Sequence, residues 1–501
     1  MTVSSINGQS TQMLQSLLSL RSQLDDLTRQ ISTGKKSDTF AGLGVQRGVS
    51  VSLRSQLSAI TGYDATAQTA TTRINIAQTA LDSMAEVVAN TKSAMFQSTN
   101  VSGIGGASQA QTTAKFSLDE LTGLLNTEAG GRYLFGGKQT DQPAVETSDH
   151  ILNGDGARAG LVQIIDERRQ ADLGASGLGR LTLTTPTTSS LEVAEDAVSP
   201  FGFKLASVTS TLTNATVTGP TGSPAVISAD LTAGNPNEGE SLTIRVNLPD
   251  GTSDSVTLTA TTDTPPGPNQ FTIGTTPDDT TTNLQTALNG ALGTLAKTSL
   301  TAASAVQASN EFFDADANHP PVRVDGPPFD SATATTTGSS ADTVIWYTGD
   351  ADSDPARSTA TALVDPSLSV GYGMRASEQG LRSVLQNVAT LAAMTISSTN
   401  PNGVELSQEL NTRLTQGLNG QPGDQTLSDV TTDLASAQIS INTAKTRHQQ
   451  QNTTLQEFLT QIEGVSETEV GAQILSLQTR LQASMQVTAM MYQTSLVNYL
   501  Q

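Results

Sequence analysis

The stretch MLQSLLSLRSQLDDLTRQIS, Met13 to Ser32, decides how the chain is read. Its apolar residues Met13, Leu17, Leu20, Leu24, Leu27 and Ile31 stand 4, 3, 4, 3 and 4 positions apart. That spacing sets them on one stripe of an α-helix, the a/d seam of a heptad repeat. One helix cannot cover its own stripe, so a partner is required. STGKKSDTFAGLGVQRG, Ser32 to Gly48, interrupts the seam with four glycines. A second seam follows at Leu53, Leu57 and Ile60, and beyond Asp64 at Ala67, Ala70, Ile74, Ala77, Leu81, Met84 and Val88. A third helix is expected over residues 109–126, after an SGIGG turn.

The far end mirrors this pattern. Met374 to Ser397 reads as helix, and a longer one is expected over residues 427–463. The seam of the longer helix is Leu434, Ala437, Ile441, Ala444, His448, Gln451, Leu455 and Ile462, and Gly464 ends it. Ser466 and Glu469 have capping-box spacing at the start of a last helix, whose seam is Val470, Ile474, Leu477 and Leu481. The tail MQVTAMMYQTSLVNYLQ, with Met491, Leu496 and Leu500, is too apolar to stand uncovered.

Between the ends, roughly Leu181 to Ser369, Thr, Gly, Asp, Ser and Pro dominate. Leu242, Ile244, Val246 and Leu248 alternate with polar residues, Pro249-Asp250-Gly251 turns, and Val256, Leu258 and Ala260 alternate on the return, which predicts a hairpin. Residues 282–298 read as a short helix, and Val344 to Tyr347 as a buried strand. The predicted class is α+β. Long antiparallel coiled-coil helices from both chain ends form a rod, with a β-rich inserted outer region.

Composition narrows the function. The chain has 501 residues, 26 basic against 47 acidic, a net charge of −21 and no cysteine. An acidic surface disfavours phosphate backbones and anionic lipid, so neither nucleic acid nor membrane is an expected partner. The absence of cysteine excludes disulfides and thiolate chemistry. The first residues, MTVSSINGQSTQ, lack the basic and apolar regions of a cleaved secretory signal. His150, His319 and His448 stand in unlike contexts and form no metal or catalytic motif. Asp350, Asp352 and Asp354 begin like a calcium loop, but Pro355 and Thr361 occupy the positions of its glycine and glutamate. A solvated acidic turn is expected there. No cofactor, metal or enzymatic activity is expected.

The heptad helix followed by ISTGKK (Ile31 to Lys36), a Gly/Ala hinge and an Ala-rich helix resembles the start of bacterial flagellins. Residues 37–44, SDTFAGLG, resemble a shortened form of that family's next segment, and the helices after Asp433 resemble its C-terminal region. GGRYLFGGKQTDQPAV (Gly130 to Val145) and the tail SLVNYL (Ser495 to Leu500) resemble the hook–filament junction branch, hook-associated protein 3. The Thr-rich insertion resembles the outer domains of filament flagellins.

The resemblance implies a structural subunit, exported by the flagellar type III apparatus without a cleaved signal and polymerised into the extracellular filament for motility. Its alternative is the junction protein, and a secreted adhesin or fibre is a more distant one. Implied partners are further copies, hook-associated proteins and an export chaperone. The implied regions are 1–130 and 371–501 as terminal helical regions, 131–180 as a connector and 181–370 as a variable insertion. Self-assembly is expected to rest on Leu17, Leu20, Leu24, Leu27, Ile31, Ile74, Leu81, Ile474, Leu477, Leu481, Met491, Leu496 and Leu500. The chain is expected to leave the helical region near residues 133–137 and return near 371–375. Residues 181–340 are expected to be removable without loss of assembly.

Overall fold

A computed structural model gives the structure and describes residues 3–97, 108–397 and 399–499. The expected SGIGG turn lies outside the described residues. The helices in chain order are α1 Val3–Thr33, α2 Arg47–Gln97, α3 Gln109–Leu125, α4 Ser148–Asn153, α5 Leu161–Leu173 and α6 Pro277–Leu295. They continue with α7 Thr301–Phe313, α8 Gln379–Ala393, α9 Gly403–Asn419, α10 Leu427–Glu463 and α11 Glu467–Tyr499. With the β-rich middle, this is an α+β fold with long helices toward both ends. The chain divides into two compact units, which cut across the four regions read from the sequence.

The first unit comprises residues 1–69, 363–370 and 439–501. Here α1 packs against α11, and Thr488 near the end of α11 reaches the sulfur of Met13 near the start of α1, so the two run antiparallel. The facing positions on α11 are Val470, Ile474, Leu477, Leu481, Ser484 and Thr488, which continue the 4–3 alternation. Side-chain bonds from Lys445 to Gln68, His448 to Asp64 and Arg54 to Glu463 show α2 and α10 also running antiparallel. Their buried positions include Leu53, Ile60 and Ala67 on α2, and Ile441, Ala444 and His448 on α10. Gln451, expected in the α10 seam, is exposed, and Asn452 takes the inward place. The 3.6-residue turn drifts off a strict heptad over this length.

The second unit comprises residues 70–362 and 371–438. Strands β1 Leu181–Thr187, β2 Ser190–Glu195, β3 Lys204–Ser210 and β4 Thr216–Thr221 are followed by β5 Val226–Asp230, β6 Ser241–Asn247, β7 Ser253–Thr261 and β8 Gln270–Thr272. They form two four-stranded sheets ordered β1-β2-β5-β4 and β3-β6-β7-β8. The expected hairpin is β6–β7, with Leu242 opposite Leu258 and Ile244 opposite Val256. Both sheets and α6 share one core, built on Phe203, Ile227, Ile244, Leu258, Phe271, Leu284 and Leu288. Thr276 and Asp279 close a reciprocal capping box at the start of α6, with Pro277 at its first turn. The helix expected over 282–298 therefore starts earlier, and after one wide turn at Ala296–Leu300 it runs on into α7.

Two further expectations are corrected. The helix expected from Met374 starts only at Gln379, because Met374 to Ala376 are extended and pair with Phe135 to Gly137. Val344, Trp346 and Tyr347 are buried as expected and Ile345 partly so, but the stretch belongs to no sheet, and Tyr347 makes only an isolated bridge to Val145. The middle is also less separable than its composition indicates. α7 packs on α5, α8 and α9, with Thr390 of α8 donating to Ser309 of α7 at 2.7 Å. Asp250 in the hairpin turn forms a buried ion pair with Arg413 of α9 at 3.0 Å.

Candidate assembly surface

The ISTGKK stretch closes the end of a helix that lies more than 400 positions away. α1 ends at Thr33, and Gly34 takes the left-handed conformation (φ +66°), which costs glycine little. That turn lets the Gly34 carbonyl accept from Val465 N–H at 3.1 Å, while Lys36 N–H donates to the Glu463 carbonyl at 2.7 Å. The Lys36 ammonium lies 3.1 and 3.0 Å from the carbonyls of Gln461 and Ile462. These are last-turn carbonyls of α10, which lack helical partners and carry the negative end of the helix dipole. The Glu463 side chain turns the other way and accepts two bonds from Arg54, at 2.9 and 2.6 Å, and one from Ser50. The Arg54 hydrogen bonds hold its carboxyl below the usual glutamate range, against the smaller opposing effect of burial.

The seam residues divide into two groups. Leu17, Leu20, Leu24 and Leu27 on α1 and Ile474, Leu477 and Leu481 on α11 are half-buried against each other. The helix pair covers one side only, and Leu14, Leu18 and Leu475 stay 55%, 60% and 66% exposed. Ile31 at the end of α1 is 37% exposed, and Gln30 before it is half-buried. Ile74 and Leu81 are fully buried within the second unit, so they offer no surface to another copy. On α11, Met485, Met490 and Met491 are exposed. The side chain of Leu496 and all of Leu500 lie outside the described residues.

A second apolar surface was not picked out from the sequence. The short 3-10 helical segment Phe40–Gln46 is kinked at Gly44 and leaves Phe40 half-exposed and Val45 fully exposed. Val49 and Val51 follow, also exposed, on the first turns of α2. The available signal was the AGLGV string itself, where glycines flank apolar residues in place of the polar residues of an ordinary surface turn.

Charge separates along the same division. The first unit holds nine basic and nine acidic residues, while the second holds 17 basic against 38 acidic. The whole net charge of −21 therefore sits on the second unit.

The three carboxylates of the acidic turn are paired with two protein cations. Asp352 and Asp354 both pair with Lys138, at 3.0 and 2.6 Å, and Asp350 pairs with Arg375 at 2.8 Å. The Lys138 hydrogen bond holds Asp354 below its ordinary range. Among the described residues no group of three or more metal-ligating side chains occurs. The same pairs close the neck where residues 133–138 meet 374–376, joined by Gly137 N–H to the Met374 carbonyl and Ala376 N–H to the Phe135 carbonyl. His448 is buried on the α10 seam with Nδ1 2.8 Å from Asp64, and His319 is a surface residue beside Asp316. His150 in α4 contacts Glu146, which lies just before that helix, at 3.0 Å. None of the three histidines joins a catalytic set.

Among the described residues, no helix is long and apolar enough to cross a membrane. Residues 5–140 match the family model of the bacterial flagellin N-terminal helical region. Comparison with curated proteins finds no match.

Proposed function

From the premise that the chain belongs, through residues 5–140, to the bacterial flagellin family, we propose that it is the filament subunit of the flagellum. Copies polymerise through the neutral helical unit, and the acidic unit remains outside the contacts that build the polymer. The observation that carries this reading is the one-sided burial of the α1/α11 seam. A pair of long helices that leaves Leu14, Leu18 and Leu475 in solvent has an apolar face for other helices to cover. Coupling the full ordering of such weak seams to subunit contact defers the entropy cost until those contacts exist. Passage through the flagellar export apparatus, cover of the α11 end by a chaperone before assembly, and contact with hook-associated proteins at the filament base belong to this reading.

The junction role is the second reading. It is favoured by the Gly130–Val145 segment, whose Phe135 to Lys138 close the neck against residues 350–376. Immunogold labelling of flagella distinguishes the two. Label along the whole filament supports the filament subunit, and label confined to the hook–filament boundary supports the junction protein. Normal flagella in a strain deleted for the chain would reject both.

A further inference from the structure

All the sulfur in the chain is thioether, with nine methionines and no cysteine. Burial divides these side chains. Met84, Met95, Met374 and Met394, the methionines of the second unit, are buried, none above 8% exposed. Met485, Met490 and Met491 stand within seven residues of one another on α11 and are 51%, 58% and 40% exposed. Met13 on α1 is half-buried, with the Thr488 hydroxyl 3.8 Å from its sulfur.

We propose that Met485, Met490 and Met491 form an oxidation site, and that their conversion to sulfoxides by peroxide withdraws the free subunit from polymerisation. In the reaction a sulfur lone pair attacks one oxygen of hydrogen peroxide. The S–O bond forms as the O–O bond breaks, and the departing hydroxide collects the proton left on the transferred oxygen, giving water. The sulfur is oxidised by two electrons and the peroxide is reduced. Access to the thioether selects the residue, and access is what separates α11 from the second unit.

The helix does not require sulfur at these positions. Leucine has a similar helix propensity and volume, and the facing start of α1 uses Leu14, Leu17, Leu18 and Leu20. The end of α11 instead builds its apolar surface from side chains that an oxidant turns polar. A sulfoxide oxygen buried against another subunit without a donor carries a desolvation cost. Oxidised chains therefore fail to add. The inference rests on the polymerising reading above and supplies the chemistry that turns it off.

The test treats the intact chain with hydrogen peroxide and locates each added oxygen by peptide mass. Met485, Met490 and Met491 should be oxidised about tenfold or more faster than the four buried methionines. Equal rates overturn the site. Sedimentation then compares the subunit concentration needed for polymerisation. Oxidation should raise it by about tenfold or more. The M485L/M490L/M491L chain, treated in the same way, should keep its untreated threshold. An unchanged threshold in the oxidised wild type, or an equal rise in the leucine variant, overturns the proposal. Should the leucine variant not assemble even untreated, repair of the oxidised wild type decides. A pair of methionine sulfoxide reductases, one for each epimer, should restore the original threshold, and a lasting defect overturns the proposal. If the untreated wild type does not polymerise, the assembly reading falls and the control of assembly with it, while the oxygen map still decides whether α11 is the oxidation site.

Discussion

Arg54 and Glu463 are 409 positions apart in the chain and meet in a two-pronged ion pair, Nε to Oε1 at 2.9 Å and Nη2 to Oε2 at 2.6 Å. The pair ties the start of α2 to the end of α10. Arg54 is itself 44% exposed, so solvent screens the pair. E463Q removes the charge but keeps the shape, and should destabilise the first unit by about 1–2 kcal/mol.

The same residue sets an acid limb. Glu463 titrates below its ordinary range in the folded chain. Its contribution is therefore complete above the unfolded value of about 4.3, and is lost as pH falls through the depressed folded value. Thermal melts followed by circular dichroism should show the wild type losing stability across that acid window, and E463Q losing less. Equal losses would assign the acid limb to other carboxylates.

Gly34 tests the turn without touching a contact. A Cβ placed there meets nothing within 4 Å, but φ is +66°. G34A should cost about 1–2 kcal/mol from backbone conformation alone, and G34N less, because asparagine tolerates the left-handed region better. A shift in melting temperature that is equal for the two variants would contradict this cause.

Leu24 and Leu81 were expected to act alike and should now act differently. Leu24 is half-buried on the open α1/α11 pair, whereas Leu81 is 1% exposed inside the second unit. L24D should cost the monomer about 1–2 kcal/mol and abolish polymerisation. L81D should cost about 3–5 kcal/mol and unfold the helical part of the second unit. Denaturant titration of each monomer, alongside sedimentation of polymer, reads both effects.

Deleting residues 181–340 is expected to fail, contrary to what composition implies. The cut removes α7, exposing the face of α8 that carries Thr390, and takes away the Phe313 carbonyl that accepts from buried Trp346 at 2.9 Å. The truncated chain should aggregate on expression. A soluble, monodisperse product by size-exclusion chromatography would restore the simpler division.

The terminal helices were legible because heptad spacing is a local signal repeated over many turns. Residues 427–463 were read to both ends, since Gly464 terminates what the Leu434–Ile441 stripe begins. The β6–β7 hairpin was legible for the same reason, with period-two alternation around Pro-Asp-Gly. What escaped depends on distant partners. Met374 to Ala376 look helical in isolation and are drawn out by Phe135 to Gly137, far away in the chain. α9 passed unread because Leu406, Leu410 and Leu414 form a short stripe between glycine- and proline-rich loops. The assembly seam was half legible. Periodicity identified Leu81 and Leu24 equally, but only tertiary packing shows that one is enclosed and the other is half open. Val45 carried no periodic signal, and the Gly44 kink that exposes it is a property of the folded turn.

The central claim, that copies meet through the neutral helical unit, is tested most directly by hydrogen–deuterium exchange of the intact chain before and after polymerisation. Peptides from α1, from residues 40–63 and from α11 should gain strong protection in the polymer. Peptides from β1 to β8 should exchange at the same rate in both states. Protection gained mainly in the β-sheets, with the terminal helices unchanged, would contradict the account.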